Sequence, residues 1–205
     1  GHVYVNGESG PAVEFIQPEH TVYNTQGALG WSAKNVKVHI NDISFDLSKG
    51  KKTIHVRSGL LGAHQVGPLS FVAALASELG MDTKAIEHAL SKTAPFEHRM
   101  QPYRLGGAWI IDDTYNGNIE GIRAGTQLLA ALPAKRKLYV TPGLVDQGKE
   151  TENIHIELGR YMAASGADVA VLMQNSVTKF IMAGLEVGGF KGQVQVEKDQ
   201  LAFYT

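Results

Sequence analysis

The stretch LYVTPGLVDQGKETENIHIELGRYMAASGADVAVLM, residues 138–173, decides the fold class. It opens on a short apolar strand, Leu138 to Val140, and passes through a loop bearing Pro142 and Gly143. The period then changes: between Thr151 and Ser165 the residues Ile154, Leu158, Tyr161 and Met162 recur at helical spacing. It closes on Val169 to Met173, an unbroken apolar run suited to a strand covered on both faces. Strand, helix and strand in this order predict a parallel crossover.

The alternation extends outward on both sides. Ahead of it, Ala108 to Ile111 reads as a strand, and Asn118 to Leu132 as a helix with Ile119, Ile122, Thr126 and Leu129 on one face. After it come a helix over Val177 to Leu185 and a strand over Val194 to Val196. The region beyond Pro95 is therefore predicted to be an α/β domain on a parallel sheet, with a boundary near residues 95–102, where Pro95 and Pro102 flank a polar segment.

The first sixty residues read differently. Short runs, Val3-Tyr4-Val5, Val13 to Ile16, Val36 to Ile40 and Ile43 to Leu47, are separated by Asn6-Gly7, Gly10-Pro11, Asn41-Asp42 and Lys49-Gly50. Period-two runs broken by turn residues predict a meander or a sheet edge. From Leu69 the spacing of Val72, Leu75, Ala76 and Leu79 predicts a helix buried on that face and capped by Gly80, with a second helix from about Thr83 to Leu90. Asp199 to Thr205 read as the opening of a further helix, and no helix precedes the first strand, so the chain is expected to be a piece of a larger protein.

Composition excludes several classes. A length of 205 residues suits one large or two small domains, and 43% hydrophobic with 19% charged residues argues against a disordered chain. A formal charge of -1 provides no field to attract nucleic acid. The absence of cysteine removes disulfides, thiol nucleophiles and thiolate metal sites, and fits a reducing compartment. With no run of roughly 20 apolar residues and no basic-then-apolar leader, a cytoplasmic location without a membrane span is expected.

Three segments could carry chemistry. Gly143 to Lys149 matches the G-x-x-x-x-G-K spacing of a phosphate loop, but Glu150 replaces the hydroxyl that would hold magnesium and Asp146 adds a second carboxylate that would repel an anion. Asp112-Asp113-Thr114-Tyr115-Asn116-Gly117-Asn118 packs carboxylates, amides, a hydroxyl and a phenol at a predicted strand end, where open α/β sheets place ligands. Two readings fit that run: ligand recognition, or a turn at Asn116-Gly117 with Asp113 or Asn118 capping the next helix. In the connector Glu97-His98-Arg99-Met100-Gln101, Arg99 is suited to bidentate binding of phosphate or carboxylate, or is an exposed linker residue. Among the eight histidines none has H-E-x-x-H spacing, so no metal site is read, and no G-x-S-x-G elbow occurs.

Taken together, these segments resemble the Mur ligase family. Leu60-Leu61-Gly62-Ala63-His64-Gln65-Val66 is similar to the family's L-L-G-x-H-N-V, and Phe96 to Met100 resembles its H-R-M/F-E linker. Asp112 to Asn118 resembles D-D-S-Y-N-A-N, and Val140 to Gly148 resembles V-T-P-G-M-x-E-L-G, both in the version of the D-alanyl-D-alanine-adding branch. The resemblance implies that residues 1–97 are the end of a central ATPase domain and residues 98–205 a truncated Rossmann-like C-terminal domain. It implies an ATP-dependent ligase that joins D-alanyl-D-alanine to a UDP-muramoyl-tripeptide through an acyl phosphate, as a monomer. The phosphate loop and the magnesium ligands would lie in upstream sequence, so this segment alone is expected to be inactive. It further implies that Arg99 contacts the nucleotide phosphates and Asp113 the ribose. His64 and Gln65 would lie at the adenine pocket, and Tyr115, Asn116 and Asn118 would face the ribose and the incoming dipeptide. The sequence departs from the family at Gln65 and Pro68, where Asn is usual, at Gln101, where Glu is usual, and at Ile119, where Pro is usual. Another Mur-type amino-acid ligase, and a non-catalytic binding module of the same fold, are the alternatives.

Overall fold

The computed structural model of the chain describes residues 1–198. They form two compact units, which divide in sequence between Asp112 and Asp113. The expected boundary at residues 97/98 differs from this division by one β-hairpin, which packs as part of the first unit.

In the first unit β1 (Tyr4–Asn6), α1 (Gly10–Val13) and β2 (Thr21–Asn24) form a small parallel crossover, with β3 (Gly27–Ala28) antiparallel to β2. Val13 to Ile16, expected as a strand, is not one: Pro11 falls at the start of α1, where its fixed φ and missing N–H favour a helical turn. β4 (Ser32–Val38), β5 (Ile43–Lys49) and β6 (Lys52–Ser58) form an antiparallel meander. β5 keeps the expected alternation, with Ile43, Phe45 and Leu47 buried beside Ile54 and Val56 of the neighbouring β6. The expected run Val36 to Ile40 loses it, because Asn35 adopts φ 57 and shifts the β4 register between Lys34 and Lys37, which leaves Val36 exposed.

Two helices cover this meander. α2 (Val66–Glu78) buries Val66, Leu69, Ser70, Ala73 and Ala74, so the expected face is the wrong one: Val72 and Leu79 are 51% and 79% exposed. Its end is as expected, since Gly80 takes φ 90 and the N–H groups of Gly80 and Met81 close onto the carbonyls of Ser77 and Ala76. α3 (Thr83–Ser91) starts where Asp82 accepts from the N–H groups of Lys84 and Ala85 at 2.9 and 3.2 Å. The unit ends in a hairpin, β7 (Gln101–Leu105) and β8 (Ala108–Asp112). β8 was expected to open the parallel sheet. It pairs antiparallel with β7 because Gly106 and Gly107 both hold positive φ, the geometry of a two-residue hairpin turn.

The second unit follows the expected alternation closely. α4 (Ile119–Ala131), β9 (Leu138–Thr141), α5 (Thr151–Ala164), β10 (Val169–Met173), α6 (Thr178–Val187) and β11 (Gln193–Glu197) succeed one another, and β10 pairs in parallel with both β9 and β11. Val169 to Leu172 are buried, as a central strand requires. Leu158 and Met162 of α5 and Ile181 and Leu185 of α6 fill the core beside Leu172. The two helices approach through glycines: a Cβ on Gly159 would lie 2.2 Å from the Ile181 carbonyl, and one on Gly184 would lie 2.1 Å from that of Ile156. The expected helix opening at Asp199 to Thr205 lies outside the described residues. Among those described, no helix is long and apolar enough to cross a membrane.

Candidate functional site

The sequence-predicted side chains fall in both units. In the first, Ala63–Gln65 forms a short 3₁₀ turn leading into α2. The His64 ring lies over Gly62, where φ is 94 and a Cβ would come within 2.7 Å of Nδ1. Gln65 is half-buried, and its side-chain amide donates to His64 Nε2 at 2.9 Å. His64 and Gln65 are thus brought together.

Arg99 sits in a connector of unusual backbone. His98 and Met100 on either side of it have φ of 59 and 46, a region costing non-glycine residues about 1–3 kcal/mol each. Met100 is buried and anchors one side. On the other, His98 Nδ1 lies 2.8 Å from Asp112 Oδ2 at the end of β8, and the His98 N–H donates to Gln101 at 3.2 Å. The Asp112 hydrogen bond holds the His98 imidazole above its usual 6.5, with Glu97, 3.8 Å from Nε2, contributing in the same sense. Within the first unit, the residue before Arg99 is thus pinned to the last residue of β8. Both residues belong to segments read from sequence, but their pairing was not, because an exposed histidine 14 residues from a carboxylate carries no spacing signal.

In the second unit Asp113 to Asn118 are all exposed, Tyr115 to 61%. Asn118 caps α4: its side-chain oxygen accepts from the Gly121 N–H at 2.8 Å, so the capping alternative holds for that residue. Asp113 reaches the same helix start. A Cβ on Gly121 would lie 4.0 Å from Asp113 Oδ2 and 3.5 Å from Asn118 Oδ1, a position where the positive end of the helix favours a carboxylate. Tyr139 on β9 is pushed well above the ordinary phenol range, first by burial and then by the charge of Asp113.

The loop after β9 lies beside this strand tip, and three side chains fix it. The Gly143 N–H donates to Thr141 Oγ1 at 3.0 Å, the Leu144 N–H to His155 Nε2 at 2.9 Å, and Asn175 donates to the Pro142 carbonyl at 2.6 Å. Leu144 turns back onto the strand tip, its Cδ2 2.7 Å from where a Gly117 Cβ would stand. His155 is fully buried and was missed from sequence. The available signal was its place on the buried stripe of α5, three residues before Leu158 and one after Ile154.

The chain is similar to known proteins in sequence and in fold. The family model of the Mur ligase, glutamate ligase domain matches residues 98–203. The UDP-N-acetylmuramoyl-tripeptide–D-alanyl-D-alanine ligase of Escherichia coli K12 is 29% identical over 139 residues, covering 67% of this chain and 30% of that protein. The same-named protein of Mycobacterium tuberculosis H37Rv is 33% identical over 129 residues, covering 56% and 25%. Among solved structures, MurF from Acinetobacter baumannii superposes with a TM-score of 0.81 at 21% identity, over 100% of this chain and 44% of that one. MurF from Thermotoga maritima in complex with ADP gives 0.67 at 17% identity, over 94% and 48%. The chain thus spans about 30% of the first of these curated relatives and under half of the structural ones.

Proposed function

The chain belongs to the Mur ligase family, and on that premise we propose that it forms part of an ATP-dependent ligase that joins D-alanyl-D-alanine to a UDP-muramoyl-tripeptide in cell-wall precursor synthesis. The observation that carries this reading is the exposed run Asp113 to Asn118, which follows the end of β8 and leads into the Asn118-capped start of α4. Capping accounts for Asn118 and does not by itself account for Tyr115 and Asn116, both exposed residues.

In this proposal ATP phosphorylates the tripeptide carboxylate, and the dipeptide amine displaces phosphate to form the amide. Arg99 contacts the nucleotide phosphates, as a planar, permanently charged guanidinium is suited to do. Asp113 accepts from the ribose, His64 and Gln65 border the adenine, and Tyr115, Asn116 and Asn118 face ribose and dipeptide. The match of the family model over residues 98–203 supports residues 98–205 as the C-terminal domain, and residues 1–97 are proposed as the end of the central one. Magnesium accompanies ATP in this proposal. Among the described residues no three His, Asp or Glu side chains gather to hold a metal ion.

One observation favours the non-catalytic alternative: Gln65, where the family has Asn, directs its amide to His64 within the same turn. Phosphate release by the intact ligase separates the readings. Release that requires ATP, UDP-muramoyl-tripeptide and D-alanyl-D-alanine together is expected. Release independent of the dipeptide overturns the assigned acceptor, and no release under any combination overturns the enzyme.

A further inference from the structure

We infer that His155 is a positioning residue, a buried, uncharged clamp that fixes the loop after β9 against the Asp113–Asn118 strand tip. Both ring nitrogens face main-chain groups. Nδ1 lies 2.5 Å from the Thr151 carbonyl and can only donate there, while Nε2 lies 2.9 Å from the Leu144 amide nitrogen and can only accept. The pair of contacts selects the Nδ1–H tautomer and leaves no place for a second proton. The side chain is fully buried.

The clamp acts on the tip through Leu144. With its N–H held by His155, the Leu144 side chain packs into the space over Gly117, between Asn116 and Asn118. Gly143 leaves room for this arrangement: at φ 87, its Cβ would lie 2.9 Å from His155 Nε2 and 2.7 Å from Val177 Cγ2. A second tie comes from the neighbouring strand end, where Asn175 holds the Pro142 carbonyl while its own side-chain oxygen accepts from the Val177 N–H at 3.0 Å. The loop is thus locked from α5 on one side and from the start of α6 on the other, and its one apolar finger bears on the turn that presents Tyr115, Asn116 and Asn118.

The clamp stands on geometry alone, whereas its effect on catalysis rests on the function proposed above, so the experiment has two arms. In the first, the imidazole nitrogens of the chain are followed by ¹⁵N NMR. A single Nδ1–H tautomer with a slowly exchanging proton is expected for His155, and an Nε2–H tautomer or a freely exchanging ring overturns the clamp. His155→Gln can return an acceptor to the Leu144 N–H, and His155→Leu cannot. The Asn116 and Gly117 amide shifts are expected to move in His155→Leu and to return toward the wild type in His155→Gln. If His155→Leu does not fold, His155→Gln decides, and wild-type-like shifts support the clamp while displaced ones contradict it.

In the second arm, on the intact ligase, KM for D-alanyl-D-alanine is expected to rise roughly tenfold in His155→Leu, the scale of one lost hydrogen bond, with kcat changed less and with rescue by His155→Gln. Equal losses in both variants overturn the positioning role. A wild type inactive on every substrate combination overturns the proposed function and leaves the NMR arm standing.

Discussion

The connector at Phe96–Gln101 and the loop at Pro142–Leu144 each hold a short segment outside regular structure, and they do so by opposite means. The connector combines two non-glycine residues in left-handed conformation with an ion pair at the edge of the surface, His98 to Asp112, in which His98 is about half exposed and Asp112 mostly buried. The loop uses a glycine where the backbone is left-handed, a buried hydrogen bond from the Leu144 N–H to His155, and an exposed one from Asn175 to the Pro142 carbonyl. A surface pair is screened by salt and weakens when a proton leaves it. A buried, satisfied network is costly to break, because each orphaned group pays its full desolvation penalty. The connector is therefore adjustable by conditions, and the loop's anchor at His155 is not.

The contrast breaks most severely at the helices behind the loop. Gly159→Ala would drive a methyl group into the Ile181 carbonyl, separating α5 from α6 and with them the two anchors of the loop. A loss of about 3 kcal/mol is expected, as for overpacking against an unyielding wall, read from urea unfolding of the chain. Unchanged stability would show that the helices can separate without cost. Gly143→Ala is expected to cost about 2 kcal/mol, from its left-handed φ and its crowding of Val177 and His155, and to shift the Gly117 amide. A stable variant with an undisturbed Gly117 would dissolve the link between loop and tip.

The connector is probed by pH. His98 is raised above 6.5 by Asp112, so its contribution is complete below the unfolded value and lost as pH rises through the folded one. The His98 ring is expected to titrate above 6.5, and in Asp112→Asn to fall back toward it; a wild-type midpoint at or below 6.5 would remove the ion pair.

Much of the second unit was legible because its signals do not compete. β10 is apolar throughout, and α5 has a polar face that sets the phase of its buried stripe. α2 gave no such phase: apolar residues surround it, so spacing alone could equally select Val72 and Leu79 or the face that packs, Leu69 and Ala73. β7 was hidden by Pro102, which reads as a linker residue yet is tolerated where β7 pairs with β8 alone. At the candidate site, Asn118 as a cap could be read from its place before a helix. The His98–Asp112 and His155–Leu144 contacts could not, since both are made by the folded backbone bringing distant residues into hydrogen-bond range.

The central claim is that the connector presents Arg99 to the nucleotide phosphates, and its most direct test is Arg99→Ala in the intact ligase. The expected result is turnover slowed at least tenfold, with the thermal unfolding midpoint unchanged, in line with loss of a charge-assisted contact. A rate equal to the wild type would contradict the claim and return Arg99 to the role of an exposed connector residue.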